Sequence, residues 1–427
     1  MMKKWVALLA GVLFIVTSAV GCSSDAGQQS RQDSSSGSPK VTISFWTLNT
    51  GWAWLQSAVE DFESANPDID VELTQYEVDP FKENLKVAAS SKTLPDMWFT
   101  WGGTLGSFYP ENGMTLDLTQ VAKDHKWSEK YNQTAIDMST YDGKISGIPL
   151  HLNVLGMWYP KELYQKLNLQ APATFAEFES QLQTLKDNGV TPLAFGSKGG
   201  WHTMRLTEQL LEHFAGPELH DKLNNLEASW NDPAVVKTFE KIKEYTDKGY
   251  FPMGYSSLDP SEAEMLFYQQ SGAIINEGTW FDGNIAENGF DPEQFDVFKF
   301  PTEQTPARAS VFVEMLQLNG ASDPAKQEAA IKLGEYLTSV DVVNKYVDDY
   351  GSPATLGFTV SGKTPHIQPL LDSAKDGGFL ITDQALPQEV VQKLFEAQDK
   401  VALNEWTPQQ AAENMENAVS AYKSKQK

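Results

Sequence analysis

Eleven of the twelve tryptophans follow residue 22, and seven of them, Trp46, Trp98, Trp101, Trp158, Trp201, Trp280 and Trp406, stand beside small or polar residues. Indole joins a broad apolar face to a hydrogen-bonding edge, so it suits a ligand cleft or an interface as well as a core. Directional polar groups recur nearby: Asn49 after Trp46, Asp96 before Trp98, Arg205 after Trp201, Glu277 before Trp280. Brought to one cleft, these residue types would stack apolar ring faces and satisfy hydroxyls in defined directions. Such groups are expensive to bury without a solute or water. For any single indole, core packing is an equal alternative.

Catalytic chemistry is less well supplied. With 57 acidic residues, carboxylates beside tryptophan are almost unavoidable, and no coherent catalytic motif is present. The six histidines lack metal-ligand spacing. Cys22 is the only cysteine and stands at the extreme N-terminal side of the chain, ahead of any folded domain, which disfavours a thiol nucleophile. No catalytic residue, metal or cofactor is expected.

Residues 1–21 read as an export signal: Lys3 and Lys4, an apolar run from Trp5 to Val16, then small residues up to Cys22. The segment resembles a bacterial lipoprotein signal, with Gly21 and Cys22 in place and Val20 where a small residue is usual. An uncleaved membrane anchor is the alternative. Lipid on Cys22 removes the oddity of a free exported thiol, and two acyl chains make a stable anchor. Residues 22–40 have no core-forming run and read as a flexible tether.

A formal charge of -24 disfavours nucleic acid or an anionic membrane surface as partner. With 41% hydrophobic residues the remaining chain can bury two domains of ordinary size. No second apolar run approaches bilayer length, which excludes a permease.

Val41, Ile43 and Phe45 alternate with polar residues as in a half-buried strand. Trp52, Leu55, Val59 and Phe62 then form a helical stripe ending near Asn66-Pro67, and Val71 and Leu73 restore strand periodicity. A helix near Pro80 to Ala89 and a short strand after Asp96 continue the pattern. Strand, helix, strand is the opening of an α/β domain with a parallel sheet. Thr174 and Glu177 predict a capping box, Gly189 a left-handed helix end, and Asp232-Pro233 a capped helix start. Pro324 begins a helix with Ala329, Leu333 and Leu337 on one side. Segments 143–149 and 300–306 are the expected crossings between lobes, which divides the chain into an N-terminal lobe of residues 41–150 plus about 305–360 and a C-terminal lobe of residues 151–304 plus about 361–427.

The chain resembles the extracellular solute-binding proteins of bacterial carbohydrate ABC importers, the group of maltose-binding and multiple-sugar-binding lipoproteins. The resemblance rests on Val41-Thr-Ile-Ser-Phe-Trp46, Phe62-Glu-Ser-Ala-Asn-Pro67, Leu94-Pro-Asp-Met-Trp98, Tyr141-Asp-Gly-Lys-Ile-Ser-Gly-Ile-Pro149, and the run from Glu264 to Glu277-Gly-Thr-Trp280. It implies a two-lobed periplasmic-binding-protein-like α/β fold with crossing hinge strands and a ligand cleft between the lobes. It implies a monomer on the outer face of the cytoplasmic membrane, serving ABC permease transmembrane subunits and a separate nucleotide-binding subunit. The implied ligand is a neutral carbohydrate, with the aromatic content leaning to an oligosaccharide. Ligand contacts are expected from Trp46, Asn49, Asp96, Trp98, His151, Asn153, Trp201, Arg205, Glu277, Trp280 and Trp406, with Trp280 the foremost. Competing readings are an exported glycoside hydrolase, or the same fold binding a peptide, polyamine or metal. A polyamine cleft would concentrate carboxylates with few donors.

Overall fold

Alternation at Val41, Ile43 and Phe45 becomes strand β1 (Val41–Leu48), with Ile43 and Phe45 fully buried. The computed structural model describes residues 40–49 and 52–426; the leader, Cys22 and nearly all of the tether lie outside the described residues. The helix Leu55–Ala65 turns Leu55, Val59 and Phe62 inward and stops at Asn66. β2 (Ile69–Tyr76) then pairs parallel to β1. The helix Val78–Ser91 returns the chain to β3 (Met97–Trp101), parallel to β1 on its other side. Trp52 precedes its helix and is buried all the same.

β4 (Thr140–Tyr141) and β5 (Lys144–Ile145) form a small hairpin around Asp142-Gly143. The strands that follow are β6 (Ile148–Pro160), β7 (Thr191–Leu193), β8 (Gly272–Gly278), β9 (Phe295–Phe298), β10 (Ala309–Leu318) and β11 (Gly378–Leu380). Their order is β2-β1-β3-β10-β6-β8-β7, with β11 on β10 and β9 on β6.

β6 is the strand that both lobes share. Its early residues pair with β10, which also pairs with β3, while Met157 and Trp158 pair with β8 and β9. The β6–β10 register slips between Glu314 and Met315, opposite Pro149 and His151. Proline has no N–H for the ladder, so an irregularity there costs little pairing. A third segment runs alongside: Leu152 N donates to Ser352 O (3.1 Å) and Ala354 N to Leu150 O (2.8 Å). The result is the two-lobed α/β fold with crossing strands.

Separate cores flank the crossing. One gathers Ile43, Phe45, Phe62, Trp98, Leu316 and Leu333. Others gather Phe178, Leu182, Leu206 and Ile274, Met204, Phe239, Leu394 and Met415, and Trp158, Phe267, Ile275 and Phe281. Helix ends follow local chemistry. Asp232 accepts from Ala234 N (2.8 Å) ahead of Pro233, and Gly189 has φ 76°. The Thr174 cap forms, but Glu177 reaches back to Ala173 N (2.8 Å), one residue before the cap, so the reciprocal arm of the expected box is displaced.

The helix Trp201–Asn224 carries Glu208 into the interior, where its Oε2 accepts from Thr382 N (2.7 Å). Burial pushes the Glu208 pKa up to about 8 from 4.5. The folded chain keeps a proton that the unfolded chain loses, so this group subtracts stability progressively as pH climbs from about 4.5 through about 8. Glu208→Gln keeps an acceptor and removes the ionisation. Scanning calorimetry should show a melting-temperature gain larger at about pH 8.5 than at about pH 5; an equal shift at both would contradict this account.

Candidate functional site

The helix Trp201–Asn224 starts after Gly199 and Gly200, and its first turn sets Trp201 and Arg205 side by side. The Arg205 guanidinium lies over the Trp201 ring at 4.7 Å and the Trp280 ring at 5.1 Å. Its Nη1 donates to Glu277 Oε2 (2.7 Å) and to Asn276 O (3.1 Å). Glu277 comes from β8, every residue of which is buried. Gly278 is required where it stands, because a Cβ would lie 2.0 Å from the Trp280 ring.

Two carboxyls here are driven apart. Burial works against an ionised Glu277, but Arg205 and His202 outweigh it and hold its pKa below the ordinary value. Glu264 goes the other way: burial and the Glu277 charge push it up, and Tyr268 Oη donates to its Oε2 (3.0 Å). His202 Nδ1 accepts from Gly196 N, and its Nε2 stands 3.3 Å from Glu277 Oε1. Burial lowers the His202 pKa.

The facing wall is built on β6. His151 is in register with Glu314, and its Nδ1 lies 2.8 Å from Glu314 Oε2. The imidazole meets Trp52 (5.8 Å) and Tyr350 (5.3 Å) edge to face. Asn153 Oδ1 accepts from Thr279 Oγ1 (2.8 Å). Asn153 Nδ2, His151 Nε2 and Ser352 Oγ are buried with no hydrogen-bond partner among the described residues.

Trp201, Arg205, Glu264, Glu277 and Trp280 on one side and Trp52, His151, Asn153, Glu314, Tyr350 and Ser352 on the other line one cavity of about 630 Å³, within the roughly 300–1,000 Å³ of small-molecule sites. Trp52 and Tyr350 reach it from the first core, Trp280 from the cores beyond the crossing, and Trp101 from between them. Two of the lining residues also meet, Trp201 Nε1 donating to Asp79 Oδ1, and outside the lining Ala53 N donates to Glu287 Oε1, both at 3.3 Å. The lining is rich in acid, with Glu77, Asp79, Glu83, Asp259, Glu264, Glu277, Glu314, Asp349 and Asp383 against Lys82, Lys198 and Arg205. Much of that acid is engaged: Glu277 with Arg205, Glu314 with His151, Asp259 with Lys198 (3.0 Å), Asp79 with Trp201.

Of the residues expected from sequence, the cavity gathers His151, Asn153, Trp201, Arg205, Glu277 and Trp280. It does not gather Trp46, Asn49, Asp96, Trp98 or Trp406. Trp46 and Trp98 are paired in register on β1 and β3, and neither lines the cavity. Trp46 packs edge-on to Tyr76 (5.4 Å), and Trp98 is fully buried against Tyr109 (5.3 Å). Asn49 is exposed, next to the lining residue Leu48, and donates to Glu77 Oε1 (2.6 Å). Asp96 is a structural clamp, accepting from Ser44 N (2.9 Å), Ser322 Oγ (2.5 Å) and Lys326 Nζ (3.0 Å). Trp406 packs beside the core of Met204 and Leu394.

Sequence reasoning named Trp101 among the cleft-suited indoles but left it off the expected contacts, assigned Trp52 to a helical stripe, and passed over Lys82 and Asp383. Trp101 was recoverable, since it stands three residues from Trp98 on one strand and so on the opposite face. Lys82 and Asp383 carried no local signal.

A family model described as bacterial extracellular solute-binding protein matches residues 48–343. The chain belongs to that family. This solute-binding protein is 26% identical over 388 residues to the multiple sugar-binding protein of Streptococcus mutans, covering 86% of this chain and 87% of that one. It is 28% identical over 306 residues to an uncharacterized ABC transporter extracellular-binding protein of Pyrococcus horikoshii, covering 69% of each. Among solved structures it is similar to a chitin oligosaccharide binding protein, with TM-score 0.81 and 23% identity over 90% of this chain and 98% of that one. It is equally similar to a protein from work on xylan utilization by Caldanaerobius polysaccharolyticus, with TM-score 0.81 and 23% identity over 88% and 99% of the two chains. No helix among the described residues is long and apolar enough to cross a membrane.

The Arg205–Glu277 pair yields a stability test. Arg205→Ala strands a charged Glu277 in the interior and should cost about 3–5 kcal/mol in urea denaturation. Adding Glu277→Gln should recover most of that loss. A double variant no more stable than Arg205→Ala would show that the pair is not what holds this wall.

Proposed function

We propose that this protein captures a neutral sugar, an oligosaccharide in preference to a single ring, and presents it to the transmembrane subunits of an ABC importer. The observation that carries this reading is one cavity where Trp52, Trp101, Trp201 and Trp280 supply aromatic surface and where the lining residues His151, Asn153 and Ser352 hold buried polar atoms, Nε2, Nδ2 and Oγ, with no hydrogen-bond partner among the described residues. A sugar ring answers both needs, its C–H faces against indole and its hydroxyls against the polar atoms. The sugar-binding names of relatives that match over most of this chain support the same choice.

On this reading the lobes are residues 41–150 with about 305–360, and 151–304 with about 361–427. They close about the crossing strands, because only the closed pose lets a solute touch both. Lipid on Cys22 tethers a monomer to the outer face of the cytoplasmic membrane. The protein holds its solute and does not transform it.

A polyamine is the second reading, favoured by the acid-rich lining. Against it weigh the partners already held by Glu277, Glu314, Asp259 and Asp79. Calorimetry of the detergent-solubilised full chain against neutral oligosaccharides and spermidine separates the two. Heat is expected from an oligosaccharide alone; binding of spermidine alone, or hydrolysis of any glycan, would replace the proposal. Trp280→Ala should weaken oligosaccharide binding about tenfold or more while circular dichroism reports an intact fold. Unchanged affinity would remove Trp280 from the contact surface.

A further inference from the structure

Two of the three cations in the lining are already paired, Arg205 with Glu277 and Lys198 with Asp259. Lys82 is different. Its Nζ lies 4.9 Å from the Trp101 ring and 5.6 Å from the Trp201 ring, with no hydrogen-bond acceptor or ion-pair partner among the described residues. Burial lowers its pKa, with Asp383 and Asp79 acting in opposition.

Asp383 has the complementary deficiency. It lines the same cavity, and its Oδ1 is buried without a hydrogen bond among the described residues. Its place is fixed from behind. Gly103 approaches so closely that a Cβ would lie 2.2 Å from Gln384 O, Thr104 Oγ1 donates to Leu386 O (2.6 Å), and Gln388 Nε2 donates to Asp383 O (2.7 Å). Lys82 and Asp383 feel each other's charge and yet form no ion pair.

A donor lacking an acceptor and an acceptor lacking a donor, held apart in one cavity, specify the group that completes both. A hydroxyl accepts from the ammonium and donates to the carboxylate. A uronate carboxylate would satisfy Lys82 and confront Asp383 with like charge; a sugar ammonium would satisfy Asp383 and confront Lys82. The indoles flanking Lys82 offer the apolar surface that a ring bearing the hydroxyl needs. We infer that Lys82 and Asp383 form a charge filter, a pair of specificity-determining residues that admits an uncharged, hydroxyl-bearing sugar unit between Trp101 and Trp201 and rejects uronic and amino sugars. This rests on the sugar reading above.

The test uses the detergent-solubilised full chain, titrated calorimetrically with neutral, galacturonic acid and glucosamine oligosaccharides of equal length. Wild type should bind the neutral series. Lys82→Met should weaken neutral binding about tenfold or more and raise glucosamine affinity relative to neutral. Asp383→Asn should weaken neutral binding similarly and raise galacturonate affinity relative to neutral. Melting curves without ligand identify a variant that has lost its fold, in which case the other variant decides. Opposite shifts in charge preference support the filter, and so does the expected shift in the one variant that folds. Unchanged affinities, or equal losses across all three series, overturn it and leave the sugar reading standing. A wild type that binds no saccharide overturns both.

Discussion

Every wall of the cleft is hung on one constraint, the pairing of β6 with β10 across the boundary between lobes. A strand that pairs with β10 on one side and with β8 and β9 further along ties the two lobes together, and its ladder with β10 is interrupted once. That interruption falls between Glu314 and Met315, beside a proline that has no N–H to lose. His151 and Glu314 sit at the same point and face the cavity. The irregularity in the ladder thus lies beside residues that line the cavity.

An acid-rich cavity suits an uncharged guest only when its charges are spent internally. Arg205 takes up Glu277 between two indoles, and burial together with the Glu277 charge pushes the Glu264 pKa up. A protonated carboxyl beside an ionised one is also the equipment of a glycosidase. Here the ionised partner is bound to a guanidinium at 2.7 Å, which takes up the charge a nucleophile would need, and the other carboxyl accepts from Tyr268 Oη. The resulting surface is pre-organised: solvating groups are locked in place by their neighbours, and the polar atoms left over are directional.

Legibility in the sequence followed the reach of each signal. The β1 alternation, the Leu55–Ala65 stripe and the cap at Asp232 are written within a few residues and formed as expected. Glu277-Gly-Thr-Trp280 was legible because a tight approach of indole to backbone demands glycine in that place. Trp98 misled because an indole at a strand end carries no mark of which sheet face is the core. Its alternation with Trp101 held the answer, but only once the sheet's two sides had been told apart. Lys82 lies on the helix Val78–Ser91 and Asp383 on the short helix Thr382–Ala385, and both look like solvated charges.

The sequence by itself determined the α/β class, the strand and helix order from Val41 to Trp101, the apolar faces of helices such as Leu55–Ala65 and Pro324–Leu337, and the aromatic character of the site. Tertiary structure alone decided which faces meet. Periodicity records that a face is buried and says nothing of its partner, whereas the cleft joins Lys82, Arg205, Trp280 and Asp383 from four distant stretches of chain. Their roles come from the unpaired donors and acceptors that this meeting leaves behind, a property that exists only after the lobes have packed.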